Sequence, residues 1–216
     1  MHRVKPLPSN FVQRYHGWKA TTHAENEAWY KKLADEGQRP RAMVIACCDS
    51  RVNVLSILGG EHGEFFVHRN IANLVPPYQE EGGPHGTSAA IEYAVTVLKV
   101  PHIIVVGHSH CGGVAGCRDM CEGNAPALED PKSHVGRWMD NLRPGHARIK
   151  HIEDLEERTT ALEKENVLVS LQNLLTFPYV AEAVDQGALN LHGLWNDISG
   201  GALEVYDADA KVFVSV

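Results

Sequence analysis

At 216 residues with 20 Lys+Arg against 27 Asp+Glu, the chain has the length of one domain with an ample core and a net charge of −7. A composition of 44% apolar and 22% charged residues excludes a disordered tail, and the acidic balance argues against nucleic-acid wrapping and for a small or neutral partner. The longest apolar runs, Ala42 to Cys48 and Ile103 to Val106, fall far short of the roughly 18 residues a membrane helix needs, which predicts no membrane association.

The N-terminus, MHRVKPLPSN, is charged but leads into no apolar stretch, so the expectation is no secretory signal and a cytoplasmic location. Residues 1 to about 20 show no clear period. His23 to Gly37 then reads as a helix with Trp29, Tyr30 and Leu33 on one face and Gly37 as its stop, so residues 1–37 are expected to form an N-terminal helical arm. Ala42 to Cys47 is a short buried-strand run, Val52 to Leu58 a helical turn, and Phe65 to Val67 a second strand. Pro76 to Gly86 is dense in Gly and Pro. From Thr87 to Lys99, Ala90, Ile91, Ala94, Val95 and Leu98 recur at helical spacing, and Pro101 breaks the pattern before the strand His102 to Gly107.

Pro126 to Arg143 is polar and interrupted by Pro, after which Ile149 to Glu163 and Val167 to Leu175 read as two helices and Tyr179 to Gln186 as a shorter one. Leu189 to Trp195, Ala202 to Tyr206 and Lys211 to Val214 read as strands, the last two joined by a turn at Asp207 to Ala210. Strands alternating with helices predict one α/β domain over residues 1–216. Its central, mostly parallel sheet of four strands would have an antiparallel C-terminal edge and flanking helices.

In open parallel sheets ligands bind beyond the carboxyl ends of the strands, and two such ends carry metal-ligating residues here. One strand runs into Cys47-Cys48-Asp49-Ser50-Arg51 and another into His108-Ser109-His110-Cys111-Gly112-Gly113. Five Cys, an odd number, beside 13 His favour metal or catalytic roles over disulfides. Two thiolates and one imidazole make a Cys2His zinc set that leaves the fourth position open, as a catalytic site needs. His108 and His110 compete for the imidazole role. His108, two residues clear of Cys111 on the chain before the turn, is the better placed, because His110 abuts Cys111 and would strain the chelate. Asp49 and Arg51 are spaced to pair as a bidentate fork that aims the carboxylate at a reacting group. Asp49 is also close enough to Cys47 to become the fourth ligand itself in a closed state. Cys117 and Cys121, four apart on an expected helix, read as core packing.

These residues resemble the β-class carbonic anhydrases, whose C-x-D-x-R and H-x-x-C-G-G motifs stand here as Cys47, Asp49, Arg51 and His108, Cys111, Gly112, Gly113. The stretches FVHRNIANLVPP from Phe66 and GTSAAIEYAV from Gly86 extend the similarity over residues 38–113. The resemblance implies zinc (Zn2+) on Cys47, His108 and Cys111 and an Asp49–Arg51 dyad. It implies reversible hydration of CO2 to bicarbonate, with zinc making hydroxide available from water. It further implies a pocket in which apolar Phe66, Ile71 and Tyr93 hold CO2 while Gln38 and the Gly112 N–H steer an oxygen. Exchange of N-terminal arms in that family implies a homodimer or a higher homo-oligomer. Where some members build an inhibitory bicarbonate site from Trp, Arg and Tyr, this sequence has Val44, Arg69 and Asn196, which implies the open, plant-like branch without that site. Two other functions are compatible with the ligand set. One is hydrolysis of a CO2-like molecule such as CS2 or COS; the other is a noncatalytic zinc-stabilised binding protein, against which the intact dyad argues.

Overall fold

The structure is a computed structural model that describes residues 3–81 and 85–216. Part of the Gly/Pro-dense stretch, residues 82–84, therefore lies outside the described residues. The chain divides into two compact units, residues 1–38 and 39–216.

In the first unit, helix α1 (Ser9–Trp18) runs through a wide turn at Lys19–His23, and helix α2 (Glu27–Glu36) follows. Gly37, with φ of 72°, ends α2 at the stop expected from the sequence. The first helix is absent from the sequence reading because its apolar residues have no core to mark: Phe11, Val12, Tyr15 and Trp18 fall on one face, yet each is exposed. Within this unit Trp18, His23 and Tyr30 form a ring cluster, with centroids 5.0 to 5.9 Å apart.

The second unit is built on a six-stranded sheet, β1 (Ala42–Cys47), β2 (Phe65–Asn70), β3 (His102–His108), β4 (Asn190–Asn196), β5 (Leu203–Asp207) and β6 (Val212–Ser215). The order is β2-β1-β3-β4-β5-β6; the first four strands are parallel and the last two antiparallel, as the alternation of elements predicts. Every residue of β1 is buried, because helices and loops cover both faces of the central strands and nothing in AMVIAC has to face water. From β1 the chain goes to one side to form β2 and to the other to form β3. The carboxyl ends of β1 and β3 therefore flank a switch point, where a crevice opens for ligands.

The remaining helices of this unit are α3 (Val54–Ile57), α4 (Gly86–Glu92), α5 (Gly112–Cys121), α6 (His134–Met139), α7 (Arg143–Ile149), α8 (Leu155–Leu174) and α9 (Pro178–Asp185). The expected helix over 87–99 is α4 continued by a wide turn at Tyr93–Val97. Two expectations fail. The polar stretch 126–143 contains α6, capped by the Ser133 hydroxyl accepting from the Gly136 N–H and seated through the buried Gly136 and Met139. The two helices expected at Ile149 to Glu163 and Val167 to Leu175 are instead one 20-residue helix, α8, and Ile149 ends α7 rather than opening a helix. The polar run Glu163 to Asn166 looks like a break, but Glu163 and Asn166 are buried and bonded to loops across the domain. Asp154 capping Glu157 N–H is the local sign of where α8 starts. Among the described residues no single helix is long and apolar enough to cross a membrane.

Candidate metal centre

The chain leaves β1 at Cys47 through a tight turn in which the Cys48 N–H donates to Asn70 O (2.8 Å) and the Val52 N–H to Asp49 O (3.0 Å). Arg69, on β2, stiffens this turn: its Nε donates to Cys47 O (2.8 Å), and its Nη2 donates to Asp49 O (2.7 Å) and Val52 O (2.9 Å). At the end of β3, His110 takes a left-handed conformation, φ 55°, that reverses the chain so that Cys111 returns toward His108 and caps α5. A non-glycine residue holds that conformation only where its surroundings enforce it. Here Arg51 Nη2 donates to His110 O (2.9 Å), which ties the first strand end to the second.

These two turns bring Cys47, His108 and Cys111 together, all buried, with their donor atoms within 4.8 Å of one another. The two sulfurs are 4.0 Å apart. The His108 Nδ1–H donates to Ser109 O (2.9 Å), since a carbonyl only accepts, and this leaves a lone pair on Nε2. That Nε2 is buried and has no hydrogen-bond partner. The Cys111 thiol donating to Cys47 lowers the Cys47 thiol to about 4, against the opposing effect of burial. The same contact with Cys47, reinforced by burial, drives Cys111 far upward. Burial works against a charged His108, but the neighbouring Cys47 sulfur and the Ser109 carbonyl outweigh it and raise its pKa. Two sulfurs in contact and a buried imidazole nitrogen without a hydrogen-bond partner form a donor set that a thiophilic divalent cation satisfies. The residues fit zinc. His110 is exposed and outside the cluster, in keeping with the spacing argument for His108.

Asp49 stands beside the cluster but is turned onto Arg51. Oδ1 accepts from the Arg51 main-chain N–H and Nε (both 3.0 Å), and Oδ2 accepts from Nη2 (2.7 Å). The Arg51 side-chain bonds, helped by its backbone N–H, hold the Asp49 carboxyl well below the usual carboxylate range. In this arrangement Asp49 is not among the grouped donors; both of its oxygens are engaged by Arg51.

Of the expected pocket residues, Gly112 opens α5 directly after Cys111, where its N–H is one of those no helical turn uses. Ile71 follows β2 and packs against Gly113, where a Cβ would meet the Ile71 Cγ2 at 3.0 Å. Phe66 and Tyr93 do pack on each other, centroids 5.8 Å apart, but Phe66 pairs in register with Met43. Four residues of strand separate Met43 from Cys47, roughly 13 Å, so one chain does not bring these rings to its own cluster. Gln38 closes the first unit and is exposed. Val44 is fully buried in the sheet and Arg69 is spent on three carbonyls.

Sequence reasoning missed three supports of the site. Ser109 Oγ donates to Asp197 Oδ1 (2.8 Å) and accepts the Ile198 N–H (2.8 Å), anchoring the end of β3 to the β4–β5 loop. Glu163 of α8 accepts the Cys111 N–H (3.2 Å). Asn166 and Ser170, on the same helix, bond Ala72 O (2.6 Å) and Asn73 O (3.1 Å), holding two residues with positive φ beside Ile71. Only the turn-forming Asp197-Ile-Ser-Gly stretch carries a local signal of its own. Cys117 is fully buried with its thiol beside Met139 O (3.6 Å), as packing predicts, and burial pushes its pKa up.

The family model for carbonic anhydrase matches residues 42–203. The β carbonic anhydrase 3 of Arabidopsis thaliana is 39% identical over 211 residues, 96% of this chain and 78% of that protein. The solved structure of the β-carbonic anhydrase CcaA is similar with a TM-score of 0.86 at 31% identity, over 96% of this chain and 91% of that one. A tetrameric β-carbonic anhydrase of Sordaria macrospora is similar with a TM-score of 0.74 at 34% identity, over 91% and 95% of the two chains. With both cysteines, the histidine and the Asp–Arg fork in place within the matched region, the chain belongs to the β-carbonic anhydrases, enzymes that hydrate CO2 reversibly.

Proposed function

We propose that the chain carries out the reaction of its family, CO2 and water to bicarbonate and a proton, at the Cys47–His108–Cys111 cluster with zinc as the metal. The observation that carries this reading is the convergence of the three donors within 4.8 Å beside an Asp49 locked onto Arg51. When bound, zinc supplies the Lewis acidity that makes hydroxide available from water near neutral pH.

The chain's own residues do the rest. Because Arg51 keeps the Asp49 carboxyl low, Asp49 stays an acceptor throughout the working pH range and can orient an attacking O–H without taking its proton. The link from Arg51 to His110 O fixes the fork relative to Cys111, so the acceptor and the donors move as one body. Ile71 and the N-terminus of α5 offer an apolar wall and an N–H, which suit a weakly polar substrate with two terminal oxygens.

The rest of the pocket comes from a second copy. Tyr93 is exposed, Phe66 packs on it, and both are remote from the cluster of their own chain, so they serve as pocket walls, with Gln38, only across a homodimer or a multiple of it. The first unit suits such an assembly. Arg3, Lys5, Arg14 and Lys19 precede its first acidic residue, Glu25, in a chain of net −7, and its α1 face of Phe11, Val12, Tyr15 and Trp18 is exposed. The tetrameric relative supports an assembled state. With Val44 buried and Arg69 engaged, we assign no inhibitory bicarbonate site. The CS2 or COS hydrolase and the noncatalytic readings gain nothing from these relatives, which are carbonic anhydrases.

The test is stopped-flow CO2 hydration beside elemental analysis of the same sample, before and after chelation and zinc reloading. One zinc per chain with activity that follows it is the expected result. Stoichiometric zinc without hydration overturns the proposal.

A further inference from the structure

We infer that Glu163 is a positioning residue for the metal cluster: from inside the domain its carboxylate holds the main chain of Cys111, and so the aim of the third donor. The inference rests on Cys47, His108 and Cys111 being the metal ligands.

The placement begins with two glycines. A Cβ at Gly107 of β3 would meet Val167 Cγ2 at 2.6 Å, and one at Gly193 of β4 would meet Val167 Cγ1 at 2.8 Å. Their absence lets α8 lie directly on the paired strands. Glu163, one turn before Val167 on the same face of α8, is thereby set beneath the carboxyl ends of β3 and β4. There it is only 2% exposed. Its Oε1 accepts the Cys111 N–H (3.2 Å) and its Oε2 accepts the buried Trp195 indole N–H (3.3 Å).

Both of these N–H groups are neutral donors, and the main-chain N–H of His110 also bonds this carboxyl. Lys164, the neighbouring cation on the helix, gives its ammonium to Glu204 (2.6 Å) and lies over the Trp195 ring, 4.7 Å from its centroid. What the two bonds fix is geometry: one carboxyl group ties the Cys111 main chain to the Trp195 indole, and so to the end of β4. Indirect partners of this kind fix the orientation of a ligand, and losing one typically weakens metal affinity about 10- to 100-fold.

Glu163→Gln is the central variant. Its amide keeps one acceptor oxygen but sets an NH2 group against one of these N–H donors. Metal affinity is read by competition with a chromophoric chelator, and ligand geometry by the absorption bands of the cobalt(II)-loaded protein. Asn173→Ala is the control for helix anchoring alone: Asn173 holds Val75 O (2.8 Å) from the same helix and does not bond Cys111. Glu163→Gln is expected to bind metal about 10- to 100-fold more weakly with shifted cobalt bands, whereas Asn173→Ala lowers the melting temperature and leaves both metal readouts at wild-type values. Adding Trp195→Phe to Glu163→Gln is expected to recover part of the loss, because the amide can then turn its oxygen to Cys111 without facing the indole N–H.

If Glu163→Gln does not fold, Trp195→Phe alone carries the test, with a smaller shift of the cobalt bands expected. Wild-type protein that binds no stoichiometric metal overturns the ligand assignment itself. Wild-type binding with Glu163→Gln, or failing that Trp195→Phe, indistinguishable from it in affinity and spectrum overturns the positioning role alone.

Discussion

The two halves of the site are built by opposite means. The polar half, Cys47, Asp49, Arg51, His108 and Cys111, is complete within one chain: its donors are buried, its fork is closed, and hydrogen bonds run from one strand end to the other. The apolar half is divided. Of the residues proposed for it, Ile71 packs on Gly113, two positions past Cys111, whereas Phe66 lies near the opposite end of β2, roughly 13 Å of strand from the level of Cys47, with the exposed Tyr93 packed on it. A metal cluster needs convergence within a few ångströms and gets it from two short turns on adjacent strands. A weakly polar substrate needs only walls, and a neighbouring subunit supplies walls as readily as the same chain does.

The sharpest break between the halves is expected at the ligands. His108→Ala loses stoichiometric zinc and the activity with it, whereas His110→Ala, altering an exposed ring whose backbone alone engages the site, keeps its zinc. Elemental analysis of the two variants decides this, and the reverse pattern would sink the ligand assignment.

Next in size is the fork. Arg51→Ala retains zinc but frees Asp49 from its only bidentate partner among the described residues. Hydration is expected to fall about 10²- to 10⁴-fold, the usual worth of a positioned acid–base group. The double variant Asp49→Ala, Arg51→Ala falls no further than the worse single one, because the two act as one unit. Multiplicative losses in stopped-flow assays would show two independent roles.

Smaller losses are expected in the apolar half. Phe66→Ala and Tyr93→Ala should each lower kcat/KM about tenfold, the scale of a lost apolar contact, with zinc content unchanged. If their rings serve the neighbouring subunit, wild-type activity per chain also falls in step with dissociation on dilution. An active monomer seen by light scattering at assay concentration would count against the divided pocket.

The smallest effect concerns pH. Because Arg51 depresses the Asp49 carboxyl, the pair stabilises the fold fully above the ordinary Asp value of about 3.9, and loses that contribution only as pH falls through the lower value Asp49 has in the fold. Asp49→Asn should therefore melt below wild type by a constant margin at pH 5 and pH 7, and the margin should close only in stronger acid. A margin already vanishing near pH 5 would mean that the fork is not ionised as drawn. On the activity side, with Val44 in the core and Arg69 bound to the turn, the pH profile should fall without sigmoidal cooperativity.

The donors, the fork and the parallel centre of the sheet were readable along the chain because each depends on neighbours only a few residues apart. A buried apolar run ends in a turn whose next residues must lie at the sheet's carboxyl edge, so Cys47-x-Asp49-x-Arg51 and His108-x-x-Cys111 declare both their place and their chemistry. Glu163 declares neither. Its partner Cys111 is 52 positions away, and in the chain it looks like one more charge in a polar run that seems to interrupt a helix. That helix is continuous because Glu163, Asn166 and Ser170 find their partners in loops at the end of the sheet, contacts that no local period encodes. Exposed α1 shows the converse: its apolar face is real, but without a core beneath it the pattern does not stand out from the loop around it. Folding also decided that Arg69 would brace the Cys47 turn and that Phe66 would lie four residues short of the cluster, since strand register is settled only when strands pair.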